Sequence, residues 1–125
     1  MRFTPDHEWV RLEGELAMVG ITEHAAAALG DIVYLEIKAP GSQLAKGDIL
    51  GVIESVKAAS EIYAPIAGTV AEANTRAIDD PTLIGQAPEG EGWLARLQPS
   101  DSSEIDELMD ADGYRALLDS LGAEQ

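Results

Sequence analysis

The residue pattern predicts a mainly β protein with a helical C-terminal tail, and three observations carry that expectation. Short runs of β-branched and alternating apolar residues recur through residues 1–100, each closed by Gly, Pro or a small polar cluster. Beyond residue 100 the apolar spacing changes to i, i+3, i+4, the period of a helix. Aromatic residues are 5% of a chain that is 46% hydrophobic, so the core should be aliphatic. At 125 residues there is room for one domain, 1–125, with a β-rich core over 1–100 and a helical extension over 101–125.

The elements follow in order. Trp9-Val10-Arg11-Leu12 and Leu16-Ala17-Met18-Val19 flank Glu13-Gly14-Glu15 and predict a hairpin. Thr22 can cap a short helix through Glu23–Leu29, which Gly30 can end. A strand over Ile32–Ile37 stops at Pro40-Gly41. Gly30-Asp31-Ile32-Val33 recurs in form as Gly47-Asp48-Ile49-Leu50, seventeen residues on, as a sheet built from two similar parts would require. Strands over Ile49–Glu54 and Ala58–Tyr63 leave only Ser55-Val56-Lys57 between them, which places Lys57 at or beside a tight turn. Pro65-x-x-Gly68 turns the chain into Thr69–Ala73, and Trp93–Leu97 should be the closing strand. In the tail, Asp101 to Glu104 has cap-like spacing and Ile105, Leu108 and Met109 form one helical stripe. Tyr114, Leu117, Leu118 and Leu121 form a second. Eight acidic residues and one basic residue (Arg115) lie beyond position 100, so these helices should dock an apolar stripe and leave an acidic face in solvent.

Twenty-three acidic against eight basic residues give a net charge of −15. Such a surface repels phosphate backbones and anionic lipid, which argues against nucleic acid and membrane as partners. It suits either a carrier that meets basic patches on successive partners or simple solubility. No run of about 18 apolar residues is present, which argues against a membrane-spanning helix. The first residues lack the apolar stretch of a signal peptide, so a cytoplasmic protein is expected, or a mature organellar form without its transit peptide. Cysteine is absent, which removes disulfides, thiolate metal sites and a cysteine nucleophile. Any sulfur redox chemistry must come from a cofactor.

Several motifs fail on inspection. Gly90-x-Gly92-x-x-Ala95 leads into a strand and supplies no helix N-terminus for a phosphate. His7-Glu8 lacks the second histidine of a zinc helix, and Asp110-x-Asp112-Gly113 lacks the other ligands of a calcium loop. No Gly-x-Ser-x-Gly elbow occurs, so an independent enzyme is poorly supported. Lys57 remains. It lies between Glu54-Ser55-Val56 and Ala58-Ala59-Ser60, and its small neighbours leave the stem unobstructed for a modifying enzyme. Nothing basic lies close by in sequence to activate the amine, so the setting is that of an attachment point, not of a nucleophile.

Glu54-Ser55-Val56-Lys57-Ala58, followed by Ile62-Tyr63-Ala64-Pro65-x-x-Gly68, resembles the lipoylation motif of glycine cleavage H proteins. The likeness extends to His7-Glu8-Trp9-Val10, Val19-Gly20-Ile21-Thr22 and Ala28-Leu29-Gly30-Asp31-Ile32-Val33 in the first half. In the second half it includes Asn74, Pro81, Pro88, Gly92-Trp93-Leu94 and the Leu108-Met109...Tyr114 tail. Biotin carriers usually set their lysine between methionines, and lipoyl domains of 2-oxo acid dehydrogenases place Asp before it. Here Val56 and Ala58 flank it.

The resemblance implies a lipoyl/biotinyl-type flattened β-barrel or sandwich with short flanking helices. It implies lipoate in amide linkage to Lys57, with Glu54, Ser55, Val56 and Ala58 as the recognition flank, on a non-catalytic carrier subunit, expected as a monomer. The implied partners are glycine decarboxylase (P protein), aminomethyltransferase (T protein) and dihydrolipoamide dehydrogenase (L protein). A lipoate ligase or lipoyl/octanoyl transferase would install the group. Two positions depart from the family, Gly85 for a usual Asn and Glu89 for a usual aromatic residue. They leave open an H-like protein serving lipoyl relay to other enzymes. An unmodified acidic interaction module is the alternative from another class. His24 reads equally as a partly exposed helix residue or a cofactor contact.

Overall fold

The computed structural model describes residues 1–123, so the last two positions of the expected helical extension lie outside the described residues. In chain order the elements are β1 (Arg2–Phe3), β2 (Glu8–Glu13), β3 (Leu16–Ile21), α1 (Glu23–Leu29), β4 (Ile32–Ile37) and β5 (Gln43–Leu44). Then come β6 (Ile49–Ser55), β7 (Ala59–Tyr63), β8 (Gly68–Ala73), α2 (Thr75–Asp79) and α3 (Thr82–Gln86). The chain ends in β9 (Ala95–Pro99), α4 (Ser103–Asp106) and α5 (Ala111–Ala123). All strand pairs are antiparallel, in a six-stranded sheet of order β1-β2-β3-β9-β8-β5 and a three-stranded sheet of order β4-β6-β7. The sheets stay open, a sandwich and not a closed barrel. Among the described residues no helix is long and apolar enough to cross a membrane.

Alternation along the strands explains the layers. Val10, Ala17, Val19, Val70, Ala95 and Leu97 of the large sheet join Leu35, Leu50, Ile53 and Ile62 of the small one in a single aliphatic core. The intervening residues Trp9 and Met18 point the other way and form a second cluster with Phe3 and Tyr114, against which Leu117 and Leu118 of α5 pack. The tail therefore docks its apolar stripe as expected. Trp9 is fully buried and donates its indole N–H to the Pro88 carbonyl at 2.9 Å. Its cross-strand partner is Gly20, where an added Cβ would lie 2.6 Å from the indole ring. The glycine is the seat of the tryptophan.

The Gly-Asp-Ile likeness noted in the sequence has a backbone counterpart. Gly30 and Gly47 both hold positive φ, 77° and 90°, and lead into β4 and β6, neighbours in the small sheet. Two expectations shift. The closing strand runs over Ala95–Pro99, not Trp93–Leu97, because the Asn74 side-chain amide takes up the Glu91 and Trp93 carbonyls and keeps them out of the ladder. The first tail helix stops at Asp106, and Met109 instead pairs its backbone with Phe3 at 2.8 and 3.0 Å, an edge-strand partner that outcompetes another helical turn. Gly20→Ala should lower stability by about 1–3 kcal/mol, the usual range for overpacking, read as a lower midpoint in thermal or urea unfolding.

Candidate functional site

Between β6 and β7 the chain makes a closed four-residue turn with Val56 and Lys57 at its apex. The Ser55 N–H donates to the Ala58 carbonyl at 2.7 Å. The Ser55 hydroxyl accepts from the N–H groups of Lys57 (3.3 Å) and Ala58 (3.1 Å) and donates to the Ala58 carbonyl (3.2 Å). One buried side chain thus satisfies the backbone that a two-residue turn exposes. A second clamp comes from outside the hairpin, where the Val56 N–H donates to the Asp31 carbonyl at 3.0 Å. Glu54, Val56, Lys57 and Ala58 are all exposed, Val56 at 71%. The Lys57 stem runs over the end of α1: a Cβ added at Gly30 would lie 3.6 Å from its Cε and 4.0 Å from its Nζ. The stem thus passes close over Gly30, whose φ of 77° is what calls for glycine, and the ammonium lies near the C-terminus of α1, the negative end of its dipole.

Two grooves flank α1. The wider, about 660 Å³, lies between α1, the start of β4 and α3, with Gly30, Val33, Gly85 and Pro88 among its lining. The narrower, about 290 Å³, lies between α1, the His7 turn and β7, with Leu29 and Ser60 among its lining and Asp6, His7, His24 and Glu61 giving it polar walls. His7 and His24, distant in sequence, meet here with ring centroids 4.6 Å apart. His7 is the one non-glycine residue with positive φ among those described (68°). Its Nδ1 lies 2.8 Å from the Tyr114 hydroxyl, which in turn lies 2.7 Å from the Thr22 hydroxyl. Partial burial and then the neighbouring His24 lower the His7 pKa, with Asp6 opposing them. Among the described residues no group of three His, Asp or Glu side chains is placed to hold a metal.

The two family departures separate in space. Gly85 lies in α3 on the wall of the wide groove, where an added Cβ would meet nothing within 4 Å. Glu89 instead acts structurally, its carboxylate accepting the Glu23 N–H at 2.9 Å and so capping the first turn of α1. The Gly90-x-Gly92 pattern serves packing, since a Cβ at Gly92 would lie 2.5 Å from the Leu83 carbonyl oxygen. Asp110 accepts the Gly113 N–H at 2.8 Å and so caps α5. Sequence reasoning missed the Asp31 clamp and the Thr22–Tyr114–His7 cluster. Both depend on segments far apart in the chain.

With this geometry the comparisons are unambiguous. A family profile described as glycine cleavage H-protein matches residues 1–121. The chain belongs to the glycine cleavage H-protein family. That family consists of carrier subunits and not of enzymes. Glycine cleavage system H proteins similar to this chain include one from Thermus thermophilus, 48% identical over 118 residues covering 94% of this chain and 92% of the relative. Another is that of Acidiphilium cryptum, 48% identical over 120 residues covering 96% and 97%. The crystal structure of the H protein from Mycobacterium marinum superposes with a TM-score of 0.83 at 37% identity, covering 91% of this chain and 92% of that one. That likeness extends the family assignment to the whole two-sheet arrangement.

Glu8, two residues from Asp6, ties the sheets together behind the narrow groove. Its carboxylate accepts the Tyr63 N–H at 2.9 Å and the Thr4 hydroxyl at 3.1 Å while only 2% of the residue is exposed. Burial raises its pKa from 4.5 to about 7, against the pull of those two hydrogen bonds. The folded state therefore holds this proton more tightly than the unfolded chain. The resulting stability is full below pH 4.5 and is lost as pH rises through about 7. The difference, 7 − 4.5, corresponds to about 3 kcal/mol. Glu8→Gln should lose less stability than the parent between pH 4.5 and 8, as measured by urea unfolding across that range.

Proposed function

We propose that this chain is the lipoyl-bearing shuttle of glycine cleavage, with lipoate joined by an amide bond to the Nζ of Lys57. The observation that carries the reading is the lysine at the apex of a clamped two-residue turn, its stem passing close over Gly30. Attached there, lipoate would supply a disulfide/dithiol pair suited to carrying an aminomethyl fragment from glycine decarboxylase to aminomethyltransferase and to reoxidation by dihydrolipoamide dehydrogenase. The chain's own residues present, steer and shelter it.

Presentation is the work of the turn. Ser55 and the Asp31 carbonyl hold the backbone rigid, so a lipoate ligase or lipoyl/octanoyl transferase meets Lys57 without unfolding a strand. Exposed Glu54, Val56 and Ala58 form the flank that such an enzyme reads. Tethering then raises the local concentration of the carried fragment at each docked active site. The narrow groove offers shelter. Ser60 in its lining is three positions on from Lys57 in sequence, and Asp6 and Glu61 in its walls suit a cationic amine. The protein works as a cytoplasmic monomer, its acidic surface speeding encounter with basic rims on its partners. Glu89 no longer favours a relay role, because its carboxylate is engaged in capping α1.

Incubation with lipoate ligase, ATP and lipoate should add one lipoyl amide, mapped to Lys57 by intact mass and peptide analysis and absent from Lys57→Arg. If correctly folded protein stays unmodified, the reading fails in favour of an acidic interaction module. Ser55→Ala should slow the modification severalfold and lower stability by about 1–2 kcal/mol, the range for losing hydrogen bonds of a part-buried hydroxyl.

A further inference from the structure

We infer that Tyr114, on the C-terminal helix, is a positioning residue for the narrow groove between α1 and β7, acting through His7; the inference rests on the carrier reading. His7 forms part of the groove wall yet holds a φ of 68°, a conformation that disfavours a side chain. Strain of this kind persists only where surrounding contacts impose it. Here they come from several sides. The His7 N–H donates to the Thr4 carbonyl at 3.1 Å, and the His7 carbonyl accepts the Thr22 N–H at 2.9 Å. The imidazole lies beside His24 of α1, and its Nδ1 meets the Tyr114 hydroxyl at 2.8 Å.

Only the last of these contacts holds the ring from the tail, and it is well anchored. Tyr114 is buried, its ring is stacked on Phe3 at 4.6 Å with 7° between planes, and its hydroxyl also meets Thr22, the cap of α1. Its oxygen thus lies 2.7–2.8 Å from two groups, one that lines the groove and one that caps its helix. The groups around the imidazole are Asp6 on its own turn, His24 on α1, Glu61 across the groove on β7 and Tyr114 on α5. The hydroxyl keeps the ring in the wall, half-buried against His24. Without it the ring is free to swing into solvent, and the groove loses one side. The tail is thus part of the carrier site and not only a cover for the sheet.

Tyr114→Phe tests this, since it keeps the stacked ring and deletes the oxygen. On the unmodified protein, NMR titration should show His7 below the usual histidine range in the parent and shifted upward in the variant, with the far-UV spectrum unchanged. On lipoylated protein equilibrated with glycine decarboxylase, glycine and bicarbonate, intact mass should show the loaded-to-oxidised ratio lowered roughly three- to tenfold, the worth of one hydrogen bond. His7→Asn, which tolerates the left-handed backbone, should lower the ratio similarly, and adding Tyr114→Phe to it should change nothing more. An unchanged His7 titration in folded Tyr114→Phe, an unchanged ratio in either variant, or additive losses in the double variant would overturn the inference. If Tyr114→Phe does not fold, an unchanged ratio in His7→Asn still overturns the inference, because Tyr114 acts only through His7. A parent protein that is never loaded would instead refute the carrier reading, while the titration still judges the positioning role.

Discussion

The large sheet carries apolar side chains on both faces, and the rest of the structure answers that constraint. Val10, Val19 and Leu97 face one way, and Phe3, Trp9 and Met18 face the other. Each such side chain gains about 1.5–3 kcal/mol on leaving water, so neither face can stay bare. The small sheet covers the first with Leu35, Ile53 and Ile62, and α5 covers the second with Tyr114, Leu117 and Leu118. A sheet apolar on one face alone would need the second sheet but not the tail.

The candidate site grows from the covering layers. β6 and β7 bury Ile53 and Ile62 in the core, and the chain passes from a buried Ser55 to an exposed Val56 within one residue. The turn is therefore rooted in the core while its apex stands in water, an arrangement that places a lysine accurately without hiding it. α1 supplies the remaining support. Thr22 caps its start, Glu89 caps it again from a distant loop, and Gly30 ends it beneath the lysine stem. Because the Thr22 hydroxyl also meets Tyr114, a continuous set of packed groups runs from the tail through α1 to the turn.

Much of this was legible in the residues. The strand runs on either side of Lys57 left room for nothing but a turn, and Thr22 and Gly30 marked the ends of α1 correctly. What escaped had no local signal. β1 and β5 are two-residue strands with no period to detect, and α2 and α3 are five residues each, too short for an amphipathic stripe. The register of β9 turned on Asn74, some twenty residues upstream, whose side chain claims carbonyls that alternation alone would assign to a strand. Glu89 looked like a departure in a loop, but its role depends on where α1 places its first N–H.

By itself the sequence determined the longer elements, the acidic surface and the turn at Lys57, because turn chemistry, capping and alternation act between residues a few positions apart. Only the tertiary structure decided that His7 meets both His24 and Tyr114, that Asp31 clamps Val56, and that Glu8 is buried between two sheets. His7 and Tyr114 are 107 positions apart, and no short-range preference links them. Their meeting, and the pKa shifts that follow from lost hydration, exist only once the two apolar faces have been covered.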